Sequence, residues 1–316
     1  HVRSVPLFYA PDLGVVSDSA RHLRRRLGAR PVDTVAEAEY LTATYVTGGE
    51  TLYPDVRTLR AGEVLALETA GGDRTSGVAG GGGGTDRTGG AANDSRWESE
   101  RYWTYAPSAT AADPEQTPTD RLAAFDDALV GAFERLLAVA DGRPIAVPLS
   151  GGVDSRLVAT MLVRLGAEDV RAFTYGRTGT PDVRVAGRVA DELDLSWRHV
   201  AYDAERWRER FASPDRAAYY ERADGFDAVP NLSAWPAVSD LLAEGWLPDD
   251  AVVVPGQTVA EIAGHVPAAL LDDDATAADA VASVLDRHYR QWTYDDRLER
   301  AFAARVRRVV DGRCDQ

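Results

Sequence analysis

The stretch from residue 145 to residue 201 constrains the fold more than any other. Three short apolar runs, Ile145 to Leu149, Val170 to Tyr175 and Trp197 to Val200, alternate with two segments, Ser155 to Leu165 and Val183 to Leu193, of helical apolar spacing. Short runs of apolar residues suit buried strands, and spacing near 3.6 suits helices packed on them. Strands alternating with helices of this length require right-handed crossovers and hence a parallel sheet. The expected fold class is therefore α/β, with a doubly wound parallel sheet. A later helix carrying Trp235, Val238, Leu241 and Leu242 leads to a buried-looking strand, Ala251 to Val254, and two helices are expected at Ala275 to Tyr289 and Asp296 to Val310. Ahead of the sheet, Thr117 or Thr119 caps a helix whose Leu122, Phe125, Leu129, Phe133, Leu136 and Leu137 are expected to face the core.

The N-terminal third reads differently. Short apolar pieces, Val5 to Tyr9, Val15 with Val16, Tyr40 to Val46 and Glu63 to Leu67, are separated by turn residues, which predicts a strand-rich region with one helix near Ser19 to Leu27. The segment 71–95 is dominated by Gly, Thr, Asp and Ala, with glycine at every position from Gly80 to Gly84, so it is expected to be a disordered insertion. The predicted division is 1–106 and 107–316. With His1 as its first residue and strand character already at Val2 to Tyr9, the chain is expected to be part of a longer protein, cut at both ends.

Composition narrows the function. The formal net charge is −15 and the chain contains no lysine, so its basic charge is arginine alone. Such a surface repels a phosphate backbone, which excludes nucleic acid as a partner. The acidic excess resembles halophilic proteins, whose carboxylates keep the surface hydrated in salt. No apolar run approaches the roughly 18 residues that cross a bilayer, so no membrane role is expected. Cys314 is the single cysteine, which permits no internal disulfide, suits a reducing cytoplasm and leaves no CxxC metal cluster.

The passage Leu149-Ser150-Gly151-Gly152-Val153-Asp154-Ser155-Arg156 stands where the first strand of the sheet turns into a helix. Two glycines let the backbone approach an anion, Ser150 and Ser155 add hydroxyls, and the helix N-terminus supplies unpaired amides and a positive dipole. A pyrophosphate fits such a site. Asp154 would repel it unless it holds Mg²⁺ that bridges to the phosphates. The pattern lacks GxxxxGK[ST], and without lysine a γ-phosphate-transferring loop is excluded.

Ser150 to Ser155 match the signature Ser-Gly-Gly-Val-Asp-Ser of the PP-loop ATP-pyrophosphatases, which cleave ATP between the α and β phosphates; the fold implied is that of the adenine nucleotide α-hydrolases. Within that superfamily the chain resembles the asparagine synthetase family. Thr174, Tyr175 and Gly176 resemble its adenine and ribose pocket, and Asp182 resembles its acidic residue after the second strand. Ser17-Asp18-Ser19, Tyr45-Val46-Thr47-Gly48, the Leu59 to Gly62 turn and Arg101-Tyr102-Trp103 resemble the tail of the glutaminase domain that precedes the synthetase domain. Gly256-Gln257-Thr258-Val259-Ala260-Glu261-Ile262-Ala263-Gly264 is similar to the family's Gly-x-Gly-x-Asp-Glu-x-x-Gly loop, with Ala260 in place of an aspartate that helps hold magnesium.

The resemblance implies an ATP-dependent ligase that adenylates a carboxylate, aspartate by default, and transfers ammonia to it, releasing AMP and pyrophosphate. ATP and Mg²⁺ are the implied cofactors. Leu149 to Ser155, Thr174, Tyr175, Gly176, Gly256 and Gln257 are the expected nucleotide-binding residues; Asp154 and Arg156 are the catalytic candidates, and Asp154 and Glu261 the metal ligands. Expected partners are a small carboxylate and ammonia, with a glutaminase segment or partner protein as the nitrogen source and a homodimer allowed. Two departures leave alternatives open. Ala260 and the missing late lysine suit a catalytically degenerate nucleotide-binding module. Arg156, where a second small residue is usual, resembles relatives thought to amidate a sugar or other metabolite. Cys314 lies at the opposite end from the N-terminal nucleophile of a glutaminase.

Overall fold

The computed structural model describes residues 5–69, 95–103, 116–256, 267, 270, 274–290 and 292–314. In chain order the elements are β1 (Phe8–Ala10), β2 (Val15–Ser17), α1 (Ala20–Leu27), α2 (Thr34–Thr42), β3 (Arg57–Thr58), β4 (Glu63–Thr69) and β5 (Ser95–Arg101). There follow α3 (Pro118–Ala140), β6 (Ile145–Pro148), α4 (Val153–Arg164), β7 (Val170–Gly176), α5 (Pro181–Glu192) and β8 (Ser196–Ala201). The remainder are α6 (Ala204–Ala212), α7 (Pro214–Ala223), α8 (Trp235–Ala243), β9 (Val252–Val253), α9 (Ala277–Tyr289) and α10 (Asp296–Cys314). Two compact units result: residues 1–106, 218–230 and 267–316 form one, and residues 107–217 and 231–266 form the other.

In the first unit, β1 pairs antiparallel with both β2 and β3, and Phe8, Ala10, Ala20, Leu23, Val56 and Phe226 close a small core against α1. Strands β4 and β5 form a separate antiparallel ribbon from Glu63 opposite Arg101 to Thr69 opposite Ser95. The insertion expected at 71–95 otherwise lies outside the described residues. Helices α2, α9 and α10 share a third cluster built on Ala43, Val281, Tyr289, Phe302 and Val306.

The strand expected at Tyr40 to Val46 is not formed. Asp33 accepts hydrogen bonds from the amides of Val35 and Ala36 and starts helix α2, which carries the chain through Tyr40 to Thr42. A capped, alanine-containing segment favours helix, and of the β-branched residues in the expected strand Thr44 and Val46 come only after the helix has ended. Val46 then returns its amide to the carbonyl of Asp227.

The second unit holds a four-stranded sheet in the order β8-β7-β6-β9, parallel throughout. One face is covered by α3, α4 and α5, whose Phe133, Leu136, Ala159, Leu162, Ala186 and Ala190 pack on Ile145, Val147, Val170 and Ala172. The other face takes α8, where Ala237 and Leu241 meet Ala146, Phe173 and Val200. Helices on both faces make the sheet doubly wound. Its strand order reverses at β6, so the crevice beyond the carboxyl ends of β6 and β9 is the topological switch point, where ligands bind in open α/β sheets.

Helix α3 departs from expectation in one respect. Phe133, Leu136 and Leu137 reach the core, but Leu122 and Phe125 are exposed. Twenty-three residues of helix extend about 35 Å, whereas the four residues of β6 extend about 13 Å. The N-terminal half of α3 therefore runs beyond the strand its other half packs against.

Candidate functional site

The loop from Leu149 to Gly152 leaves the carboxyl end of β6 and enters α4 at the switch point. Leu149 is buried, and its amide continues the sheet by donating to the carbonyl of Phe173 at 2.8 Å. Gly152 is the N-cap of α4, and no side chain caps the helix there. A helix start with no capping side chain leaves first-turn amides and the positive end of the dipole for an external anion. Val153 is exposed, while the carboxylate of Asp154 sits half-buried in that first turn, where the dipole favours negative charge.

The loop amides already converge on oxygens of the protein. Ser155 Oγ accepts from the amide of Ser150 at 2.9 Å and lies 2.9 Å from Ser150 Oγ. Ser150 Oγ accepts from the amide of Gly152 at 3.2 Å. Asp182 Oδ1, from the first turn of α5, accepts from the amide of Gly151 at 3.2 Å. A carboxylate oxygen of the protein thus occupies the amide of Gly151. Arg156 is exposed and donates back to the carbonyl of Gly151 at 3.2 Å, so its charge is held over the loop.

Two glycines are required by close approach. A Cβ on Gly151 would lie 2.6 Å from Asp182 Oδ1, and one on Gly256 would lie 2.4 Å from the amide nitrogen of Ser155. Gly256 follows β9, so the second strand flanking the switch point delivers its backbone directly onto the start of α4.

Behind the loop runs a chain of hydrogen bonds. Thr174 Oγ1, buried on β7, donates to the carbonyl of Leu149 at 2.8 Å, and Trp197 Nε1 on β8 donates to Thr174 Oγ1 at 2.9 Å. Side chains alternate along a strand. Tyr175 accordingly points to the face covered by α8, where its ring stacks on Tyr202 at 5.6 Å and burial raises its hydroxyl pKa. The carbonyl of Gly176 lies 3.0 Å from His199 Nε2.

The structure therefore brings together Leu149, Ser150, Gly151, Gly152, Val153, Asp154, Ser155, Arg156 and Gly256. Thr174 lies behind this group, and Tyr175 faces the opposite side of the sheet from Thr174. Gln257 and Glu261, with Ala260, lie outside the described residues. Trp197, which sequence reasoning used only as a strand residue, carries the end of the hydrogen-bond chain; no local pattern marks it. Among the described residues no group of three or more His, Cys, Asp or Glu side chains is placed to hold a metal ion. Mg²⁺ commonly takes one or two carboxylates and completes its shell with water and ligand oxygens, and the single carboxylate of Asp154 in the first turn of α4 is of that type.

Residues 124–231, from within α3 to just beyond α7, match the family described as asparagine synthase. The resemblance to that family is thereby shown for the segment that contains the loop, β7, Asp182 and Trp197. No curated protein is matched by the chain. Among solved structures, it is similar to the NH3-dependent NAD synthetase from Campylobacter jejuni subsp. jejuni NCTC 11168, at 14% identity over 59% of this chain and 93% of that one, with a TM-score of 0.29. It is also similar to a predicted subunit of tRNA methyltransferase from Methanocaldococcus jannaschii, at 16% identity over 54% of this chain and 88% of that one, with a TM-score of 0.24. No helix among the described residues is long and apolar enough to cross a membrane.

Proposed function

We propose that the chain is an ATP-dependent amide-forming ligase that activates a carboxylate as its acyl-adenylate and passes it to ammonia. The observation that carries this reading is the helix start at Gly152, which has no capping side chain and opens at the switch point within the segment matching asparagine synthase. The phosphates of ATP would lie along Ser150 to Ser155. A substrate carboxylate oxygen attacks the α-phosphorus, the bond to the bridging oxygen breaks, and pyrophosphate leaves. Ammonia then attacks the acyl carbon, AMP departs with the bonding pair, and the amine loses a proton to solvent. The groups named here form no covalent bond to substrate, so the acceleration comes from positioning and charge stabilisation.

Asp154, and Glu261 beyond the described residues, are the side chains proposed to hold Mg²⁺, which when bound would offset the charge of the triphosphate. Arg156, held over Gly151, adds fixed positive charge beside the same phosphates. Asp182 must release the amide of Gly151 for a phosphate oxygen to use it, so nucleotide binding is coupled to movement of that carboxylate. Aspartate is the default acceptor, and a sugar or other metabolite is the alternative.

The test is incubation with Mg-ATP, ammonium and a panel of carboxylates, reading AMP and pyrophosphate. Acceptor-dependent AMP that falls at least tenfold in Asp154→Asn supports the ligase. A second reading, a nucleotide-binding module without turnover, is favoured by Asp182 on the Gly151 amide and by Ala260 where the resemblance expects aspartate. ATP binding with no AMP under any acceptor would select that module, and absence of ATP binding would refute both.

A further inference from the structure

The first unit contains a cavity of about 160 Å³ bounded by the turn Thr47 to Glu50, by Tyr9 of β1, by Arg57 and Thr58 of β3, by Arg60 and Glu63, and by the face of α10 carrying Arg305 and Arg308. Four guanidiniums, Arg57, Arg60, Arg305 and Arg308, face two carboxylates, Glu50 and Glu63. Arginine stays protonated at any physiological pH. The wall therefore carries a fixed positive excess within a chain whose formal net charge is −15.

Arg305 does not contribute to that excess, because Glu39 Oε2 at 2.7 Å and Asp33 Oδ1 at 3.2 Å already hold its guanidinium; the excess rests on Arg57, Arg60 and Arg308 against Glu50 and Glu63. Glu63 is taken by Arg60, whose Nε lies 2.6 Å from Oε1 and whose amide donates to Oε2 at 2.9 Å. Glu50 is shared three ways. Arg305 Nη1 is 3.0 Å from its Oε2, while Arg57 and Arg308 both reach Oε1 at 3.7 Å, near the limit of an ion pair. Arg57 and Arg308 thus compete for one oxygen.

One buried oxygen in this wall, Thr58 Oγ1, has no hydrogen-bond partner among the described residues. Thr58 is only 4% exposed, so an unpaired hydroxyl there is costly. The rim is shaped by glycine: Gly48 has a φ of +86°, and a Cβ on Gly49 would lie 3.2 Å from the carbonyl of Thr58.

We infer that this cavity binds a small oxyanion, a carboxylate or phosphate group, held by Arg57, Arg308 and the Thr58 hydroxyl. The cavity belongs to the first unit, whereas the loop at Leu149 to Arg156 belongs to the second, and the inference does not depend on the proposed ligase activity.

The experiment is calorimetric titration of the full chain with glycolate, acetate and inorganic phosphate at low salt. A carboxylate or phosphate anion is expected to bind one to one at this cavity; phosphate binding that Arg308→Gln weakens and Arg156→Gln does not, with no binding of glycolate or acetate, would assign the site to phosphate-bearing ligands. Arg308→Gln and Thr58→Val should each weaken binding at least tenfold, and Arg156→Gln, at the other loop, should leave it unchanged. Arg308 is 67% exposed on its side chain, so its variant retains the fold and decides the question alone if Thr58→Val unfolds. Binding should weaken as salt screens the exposed guanidiniums. No binding by any of the three anions, unchanged binding in Arg308→Gln, or loss confined to Arg156→Gln overturns the inference.

Discussion

Gly256→Ala is the most direct test of how the switch point is built. The added Cβ would lie 2.4 Å from the nitrogen and 2.6 Å from the Cα of Ser155, and 2.8 Å from the carbonyl carbon of Asp154. All three are backbone atoms of the first turn of α4, so no change of rotamer relieves the clash. Restoring ordinary contact at 3.4 Å requires a backbone displacement of about 1 Å. Strand β9 resists it, because Val252 donates to the carbonyl of Pro144 at 2.8 Å and Val254 to that of Ala146 at 2.9 Å. The strain therefore falls on Asp154 and Ser155. Overpacking of this kind costs about 1–3 kcal/mol, and a displacement near 1 Å in a reacting site costs about 10²-fold in rate. Denaturant melts should show the loss of stability, and AMP formation should fall by about two orders of magnitude. Gly131→Ala is the control: its Cβ would meet only the end of the Arg135 side chain at 3.5 Å, and a helical Gly-to-Ala change should stabilise by about 0.5–1 kcal/mol without affecting turnover. A Gly256→Ala protein with unaltered melting and unaltered AMP formation would refute the close approach on which the site description rests.

Thr174→Val removes the hydroxyl that joins Trp197 to the carbonyl of Leu149, leaving two polar groups short of a partner; a loss of about 1–3 kcal/mol is expected in denaturant melts, with recovery in Thr174→Ser. Arg305→Met should destabilise by about 3–5 kcal/mol, because Glu39, 0% exposed, loses the guanidinium 2.7 Å away; adding Glu39→Gln should restore much of it, and a single variant as stable as wild type would contradict the pairing. Tyr202 predicts an alkaline effect. Burial pushes its hydroxyl up from 10.0 to about 12, so the folded state holds the proton more tightly, and the stabilisation is complete below pH 10 and lost as pH rises from 10 through 12. Melting temperatures measured across that window should fall less steeply in Tyr202→Phe, although this variant starts lower for want of the bonds to Ser233 and Ala237; parallel slopes would count against the burial effect.

How much of this was legible in advance depended on whether the governing interaction is local. The order strand, loop, helix around Ser150 is a local fact, written in the apolar spacing on either side of two glycines, and the parallel sheet follows from repetition of that unit. The strand expected at Tyr40 failed because its apolar residues were weighed without the cap at Asp33, a single side chain that commits the next nine residues to helix. The exposed end of α3 could not be foreseen either, since a 3.6-residue stripe records which face is apolar but not how far the partner strand extends. Thr174 and Tyr175 show the same limit at the site. Both sit at the end of β7, yet the pleat sends one toward Leu149 and the other toward α8, and only the register with β6 says which. Asp182 and Gly256 are further still from local inference. Their positions against Gly151 and Ser155 arise from where two crossovers return the chain, and a glycine that looks like a loop residue becomes, through its neighbours, a position at which one methyl group should displace the helix start that the proposed chemistry needs.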